Sequence, residues 1–142
     1  MAVNEIVVRA APQRVFAVLA DPEAYAEWVV GAAAAHAADG AWPAVGSSLR
    51  HSTGIGPLTI DDSTSVVAAE PPSRLELLAR LGPLGSFRIV IALEQVGDEL
   101  THVTMEEGPV EGVSRLAGPV GDAAGRVRNT LSLARLKALA ER

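Results

Sequence analysis

Residues 87–107 read "FRIVIALEQVGDELTHVTMEE". Phe87, Ile89, Ile91 and Leu93 alternate with Arg88, Val90, Ala92 and Glu94, the period-two pattern of a strand with one buried face. "GDE" (97–99) is a turn signal. Leu100 to Glu107 then resumes the alternation, with Val103 and Met105 on one side and His102, Thr104 and Glu106 on the other. The stretch is an antiparallel hairpin whose apolar face needs a cover.

Further strands lie upstream. Arg74 to Leu81 puts Leu75, Leu77 and Ala79 on one face, and "GPLG" (82–85) turns it toward Phe87. Ser48 to Thr53 and Leu58 to Ala69 flank "GIGP" (54–57) and read as a second hairpin. Val29 to Ala38 is a weaker strand, because alanine has low strand propensity. Val3 to Arg9 opens the chain with β-branched residues. Between the first two strands Pro12 suits a first helical turn, and Val15, Phe16, Val18 and Leu19 follow at helical spacing. "DPEAYAEWV" (21–29) restarts a helix, with Asp21 placed to cap it.

The cover comes from the C-terminus. From Asp122, a capping residue, the pattern is helical to about Glu141. Ala124, Val127, Leu131, Ala134 and Ala138 form one apolar stripe; Leu133, Leu136 and Ala140 form another, so the helix is expected to be largely buried. The residues near its start are small and leave room beside it. The order strand, two helices, six strands, long helix predicts an α+β fold.

The totals bound the function. At 142 residues, the chain is one domain; 49% hydrophobic and 20% charged residues are ordinary for a globular protein. No cysteine is present, which excludes disulfides, thiolate nucleophiles and thiolate metal sites. A net charge of −5 argues against nucleic acid as a partner. No run approaches the 18 or so apolar residues of a membrane span, so no stable membrane insertion is expected. The first residues lack a basic stretch followed by an apolar run, so a cytoplasmic location is expected. Eleven arginines against the single Lys137 point to a GC-rich bacterial genome.

Several phrases resemble the START/SRPBCC superfamily, in its bacterial polyketide cyclase/dehydrase-like branch: "APQRVFAVLADPEAYAEWV" (11–29), "GPLTIDDSTSV" (56–66), "PPSRLELLARLGPLG" (71–85), "THVTMEEGP" (101–109) and "RNTLSLARLKALAE" (128–141). The resemblance covers nearly the whole chain, 1–142, as a single domain. It implies the helix-grip fold: a curved seven-stranded antiparallel sheet gripping the C-terminal helix, with an apolar cavity between them. The superfamily contains both carriers and enzymes, so the fold does not fix the activity.

The gripped helix sets which parity of each strand faces inward. Leu75, Leu77, Ile89, Ile91, Val103 and Met105 are expected to line the cavity, with its mouth near Trp28 and Tyr25. In "LTIDDSTSVV" (58–67) Asp62 and Thr64 share the parity of Leu58, Ile60 and Val66, so Asp62 points inward and Asp61 outward. On the partner strand His51 shares the parity of Leu49. With Thr53 opposite Leu58, His51 lies opposite Ile60 and diagonal to Asp62. An inward His51–Asp62 pair is the sharpest chemical constellation: the carboxylate would hold the imidazole tautomer and raise its pKa, and the pair can act as a general base. A His beside an Asp on neighbouring strands is more often a satisfied structural pair, and orienting a ligand is a third role for it. Arg128 and Asn129 can present polar groups from the helix. Glu106 and Glu107 read as a solvated strand end, His102 as solvent-facing and Trp42 as loop packing. His36 and His102 lack partners at metal-ligand spacing, so no metal and no cofactor are expected.

Three functions fit these features. The first is binding of a small apolar molecule (lipid, aromatic polyketide or isoprenoid) by Tyr25, Trp28, Thr64, Arg128 and the apolar residues above. The second is a cyclase/dehydratase-like enzyme using His51 and Asp62, with Arg128 or Tyr25 stabilising an enolate. The third is a protein-partner binding module. A monomer or homodimer is expected.

Overall fold

The computed structural model describes residues 1–30, 32–39, 41–55, 58–80, 85–111 and 118–142; the side chains of 33–39, 53–55, 58–61, 111 and 118–120 lie outside the description, and with them the expected positions of Asp61 and His36. The element order is β1 (Ala2–Val8), α1 (Pro12–Leu19), α2 (Tyr25–Trp28), β2 (Ala32–Asp39), β3 (Ser48–Ile55), β4 (Leu58–Glu70), β5 (Arg74–Arg80), β6 (Ser86–Gly97), β7 (Leu100–Glu111) and α3 (Gly118–Ala140). The strands form one seven-stranded antiparallel sheet in the order β1-β7-β6-β5-β4-β3-β2. The two short helices therefore carry the chain from one edge of the sheet to the other. Pro12 sits in the first turn of α1, where its missing N–H costs nothing. Asp21 accepts the Glu23 N–H at 3.0 Å, so it organises the turn before α2, while the α-helix itself is the single turn from Tyr25.

The long helix α3 bridges both edges. Against β1, Asn4 Nδ2 donates to Arg126 O (2.9 Å) and Thr130 Oγ1 (3.0 Å), and Lys137 Nζ donates to Val7 O (3.0 Å). Beyond the other edge strand, Val30 N donates to Ser132 Oγ at 3.0 Å. At the helix C-terminus the Arg14 guanidinium takes Leu139 O and Ala140 O, satisfying carbonyls that have no intrahelical partner and opposing the negative end of the dipole.

The helix differs from expectation in two ways. It begins at Gly118, so Asp122 lies within its first turns and pairs with the Met1 ammonium at 2.6 Å. Pro119 permits the earlier start, because a first turn tolerates proline. The helix also buries one face only. Asn129, Ser132, Leu133, Leu136 and Ala140 are buried, while Val127 and Leu131 are 67% and 51% exposed, and Ala124, Ala134 and Ala138 are exposed with them. Alanine fits either environment, so the Ala-rich stripe did not discriminate the faces.

The core lies between the sheet and the helices. Leu75, Ile91 and Val103 pack with Val8, Val15, Leu19, Leu133 and Leu136. One irregularity decides the facing of β4. Its pairing with β5 shifts between Val66 and Ala68, leaving Val67 half exposed, so inward residues change parity there. The bulge falls after Asp62 and Thr64, which keep the parity of buried Val66.

Candidate functional site

Asp62, Thr64 and His51 point inward from adjacent strands, and all three are buried. The register is two residues tighter than expected. Because β3 runs on to Ile55, opposite Leu58, Thr53 faces Ile60 and His51 faces Asp62 directly. A two-residue change conserves parity, which is why the facing held while the register did not. His51 Nδ1 lies 3.7 Å from Asp62 Oδ2, an ion-pair distance but too long for a hydrogen bond.

The stronger contacts run through Thr64. Its Oγ1 is 2.9 Å from His51 Nε2 and 3.1 Å from the Tyr25 hydroxyl. The Tyr25 and His51 rings are also in contact, with centroids 5.0 Å apart. Trp28 and Trp42 pack edge-on against Tyr25, and Trp42 Nε1 donates to Leu19 O at 3.0 Å. The neutral imidazole bonds the Thr64 hydroxyl through Nε2, and Thr64 in turn bonds the Tyr25 hydroxyl, each hydroxyl being able to donate or accept. Tyr25, Thr64 and His51 thus form one buried hydrogen-bonded chain from α2 through β4 to β3, with the Asp62 carboxylate beside its histidine end.

Burial governs its charge state. It pushes the His51 pKa down to about 4, opposite to the rise expected from Asp62, so the imidazole is neutral at pH 7. Burial likewise pushes the Tyr25 phenol up to about 12, against a smaller opposite effect of the Thr64 hydrogen bond. Both groups keep their neutral hydrogen-bonding forms.

This chain borders an inner cavity of about 60 Å³. Leu77, Ala79, Phe87, Ile89 and Met105 supply apolar wall; Tyr25, Trp28, His51, Asp62, Glu107, Arg128, Asn129 and Ser132 supply the rest. Of the residues expected to line it, Leu75, Ile91 and Val103 are instead packed into the core beneath α1 and the C-terminal half of α3. They face inward as expected, but large side chains fill that half of the interior. Thr64 stands behind the wall and acts through His51 and Tyr25.

The sequence reading missed Glu107. It shares the parity of Val103 and Met105, is 8% exposed, and its carboxylate forms an ion pair with Arg128 on α3. Its position in "EEGP" suggested a solvated strand end; extending the parity by one more step would have placed it inside. Glu106, one residue earlier, is exposed, and His102 bonds Glu5 on the outer face at 3.0 Å.

An outer pocket of about 280 Å³ adjoins the inner one and shares Phe87, Glu107 and Arg128 as walls. Gly121, Ala124 and Gly125 of α3 also border it, so the small residues of the helix start do leave room. Trp28 is not among its walls and is nearly fully buried, which places the outer pocket beside the ion pair and not at the expected mouth. The Arg128–Glu107 pair stands where the two spaces meet. Alone the inner cavity holds a few water molecules, while the outer pocket is near the lower end of small-molecule pockets, about 300 Å³. No helix among the described residues is long and apolar enough to cross a membrane.

The fold recurs in solved structures. Protein CV1439 from Chromobacterium violaceum is 19% identical, with a TM-score of 0.75 over 99% of this chain and 96% of that one. CalU16 from Micromonospora echinospora is 14% identical, with a TM-score of 0.69 over 97% and 74%. DynU16, a protein of the dynemicin biosynthetic locus, is 21% identical, with a TM-score of 0.72 over 96% of this chain and 45% of that one. At these identities the likeness establishes the fold alone. No curated protein matches the chain significantly. Residues 2–141 match one sequence family across almost their entire length, and the chain therefore belongs to the family described as polyketide cyclase / dehydrase and lipid transport.

Proposed function

We propose that the protein binds a small apolar molecule, of the lipid, aromatic polyketide or isoprenoid kind, between the sheet and α3. One observation carries this reading: an apolar-walled space with a few buried polar groups lies next to a larger pocket, and the two share Phe87 and a single ion pair as walls. Such a space suits a ligand whose body is apolar and whose end makes a few directed contacts. The family description, which joins lipid transport to polyketide chemistry, supports the same reading. Mass spectrometry of small molecules that co-purify with the protein tests it. A reproducible apolar compound, lost from a variant with a filled cavity, supports binding; repeated purification of ligand-free protein that also takes up no lipid or aromatic compound argues against it.

A second reading, a cyclase/dehydratase-like enzyme, is favoured by the neutral buried imidazole of His51 and its link through Thr64 to Tyr25. In that reading His51 Nε2 gives up its bond to Thr64 and removes a proton from the carbon beside a carbonyl, and Tyr25 or Arg128 stabilises the enolate oxygen. Loss of turnover in His51→Gln with ligand affinity retained would separate it from simple binding.

A further inference from the structure

Among the residues that line the inner cavity, the N–H groups Trp28 Nε1 and Asn129 Nδ2 have no acceptor among the described residues, and the ring nitrogen His51 Nδ1 has no hydrogen-bond partner there either. Trp28 and Asn129 are nearly fully buried, at 3% and 2% exposure. Buried N–H groups are almost always bonded, since leaving one unpaired forfeits its hydration. The second tryptophan follows the rule: Trp42 Nε1 donates to Leu19 O. Several neighbouring polar groups are already engaged. Ser132 Oγ accepts from Val30 N, Asn129 Oδ1 accepts from Arg128 at 3.3 and 3.4 Å, and Tyr25, Thr64 and His51 bond one another.

The charges narrow the ligand further. The lining contains two carboxyl groups, Asp62 and Glu107, and one guanidinium, Arg128, which is already paired with Glu107. His51 is neutral at pH 7. Among the described residues of the lining no unpaired cation is left to neutralise an anionic head group, and a ligand carboxylate would lie near two protein carboxyl groups.

We propose that the inner cavity receives an uncharged carbonyl end of its ligand on Trp28 Nε1–H and Asn129 Nδ2–H. The apolar body lies along Phe87 and Ile89 toward the outer pocket. A carbonyl oxygen has two lone pairs and can accept from both donors. The proposal rests on the reading that this space binds an apolar molecule, and adds that the molecule is neutral and tipped by an acceptor.

Three probes of nearly equal shape test it: 2-acetylnaphthalene, its hydrocarbon counterpart 2-isopropenylnaphthalene, and 2-naphthoate. The readout is the ¹⁵N–¹H spectrum of the wild-type protein, whose two tryptophans give two indole signals. Trp28→Phe assigns them. The ketone is expected to move the Trp28 indole proton downfield and leave Trp42 in place. It should bind about tenfold more tightly than the hydrocarbon, the worth of one well-made buried hydrogen bond, and 2-naphthoate should bind more weakly than either. Asn129→Ala should bring ketone affinity close to that of the hydrocarbon. Equal binding of ketone and hydrocarbon without a Trp28 response, or tighter binding of the carboxylate, would overturn the carbonyl proposal and leave apolar binding standing. Failure of all three probes to bind, with a lipid or isoprenoid still raising the melting temperature, would likewise overturn the carbonyl proposal and leave apolar binding standing.

Discussion

His51 and Asp62 face each other across β3 and β4, yet the closest polar partner of the imidazole is Thr64, at 2.9 Å from Nε2. The group nearest in charge is thus not the group that holds the ring. Thr64 joins the histidine to Tyr25 and makes the pair part of a longer chain.

The neutrality of His51 has a pH signature. Its folded pKa of about 4 lies below the ordinary value of 6.5. Between those values the unfolded chain binds more protons, so stability rises with pH. The contribution is full above about pH 6.5 and is lost as pH falls toward 4, by about 3 kcal/mol at most. NMR titration of the His51 ring should show no protonation at pH 5.5, and His51→Gln should flatten the stability curve between pH 5 and 6.5. A midpoint near 6.5 would refute the neutral buried imidazole.

Thr64 is the test of the chain itself. Thr64→Val preserves shape but strands both the Tyr25 hydroxyl and His51 Nε2. A loss of roughly 2–6 kcal/mol in denaturant unfolding is expected, at about 1–3 kcal/mol for each of the two buried groups left unpaired. Asp62→Asn keeps polar atoms in place and should cost less, roughly 1–3 kcal/mol if its role is structural. If instead Asp62 serves catalysis, the same change should remove turnover with little effect on stability.

The ion pair between the two spaces is asymmetric. Glu107 is 8% exposed at its side chain and Arg128 36%. Arg128→Met leaves a carboxylate buried, whereas Glu107→Gln leaves a guanidinium that can turn to water. The arginine change should therefore be the more destabilising, by about 2 kcal/mol relative to the glutamine change, below the full cost of breaking a buried pair. Equal losses in thermal or chemical unfolding would show that Glu107 reaches solvent as easily as Arg128.

The two apolar stripes of α3 offer a comparison of burial. Leu136 is fully buried and Leu131 half exposed. Leu136→Ala should cost about 2–5 kcal/mol and Leu131→Ala under about 0.5 kcal/mol. Similar values in equilibrium unfolding would mean that the outer stripe is covered in solution.

Most strands were legible because one face of each is buried, and period-two alternation is a direct record of that. Glu107 and the Ala-rich stripe of α3 were not legible for a shared reason, whereas the stripe of Leu133, Leu136 and Ala140 is buried as expected. Residue type suggested water for one and core for the other, while position in the fold decided otherwise. The buried polar face of α3, Asn129 and Ser132, has no hydrophobic signature, so the Ala-rich face competed with it. Asp62 was legible because its parity ran through Val66 before the bulge at Val67. The division of the interior into a filled half and an open half depends on where α1 lands, which no local pattern encodes.

The most direct measurement is the melting temperature with and without small apolar ligands, in the wild type and in Ile89→Trp. Ile89 lines the inner cavity and is partly buried, so an indole there should occupy the space. Binding to the folded state alone stabilises by RT ln(1 + [L]/Kd), about 2.7 kcal/mol at a hundredfold excess over Kd. For a domain of this size that is a shift of several degrees. The account predicts such a shift for the wild type with at least one lipid, isoprenoid or aromatic ketone, and none for folded Ile89→Trp. No shift from any of them, or an equal shift in both proteins, would contradict a ligand site between the sheet and α3.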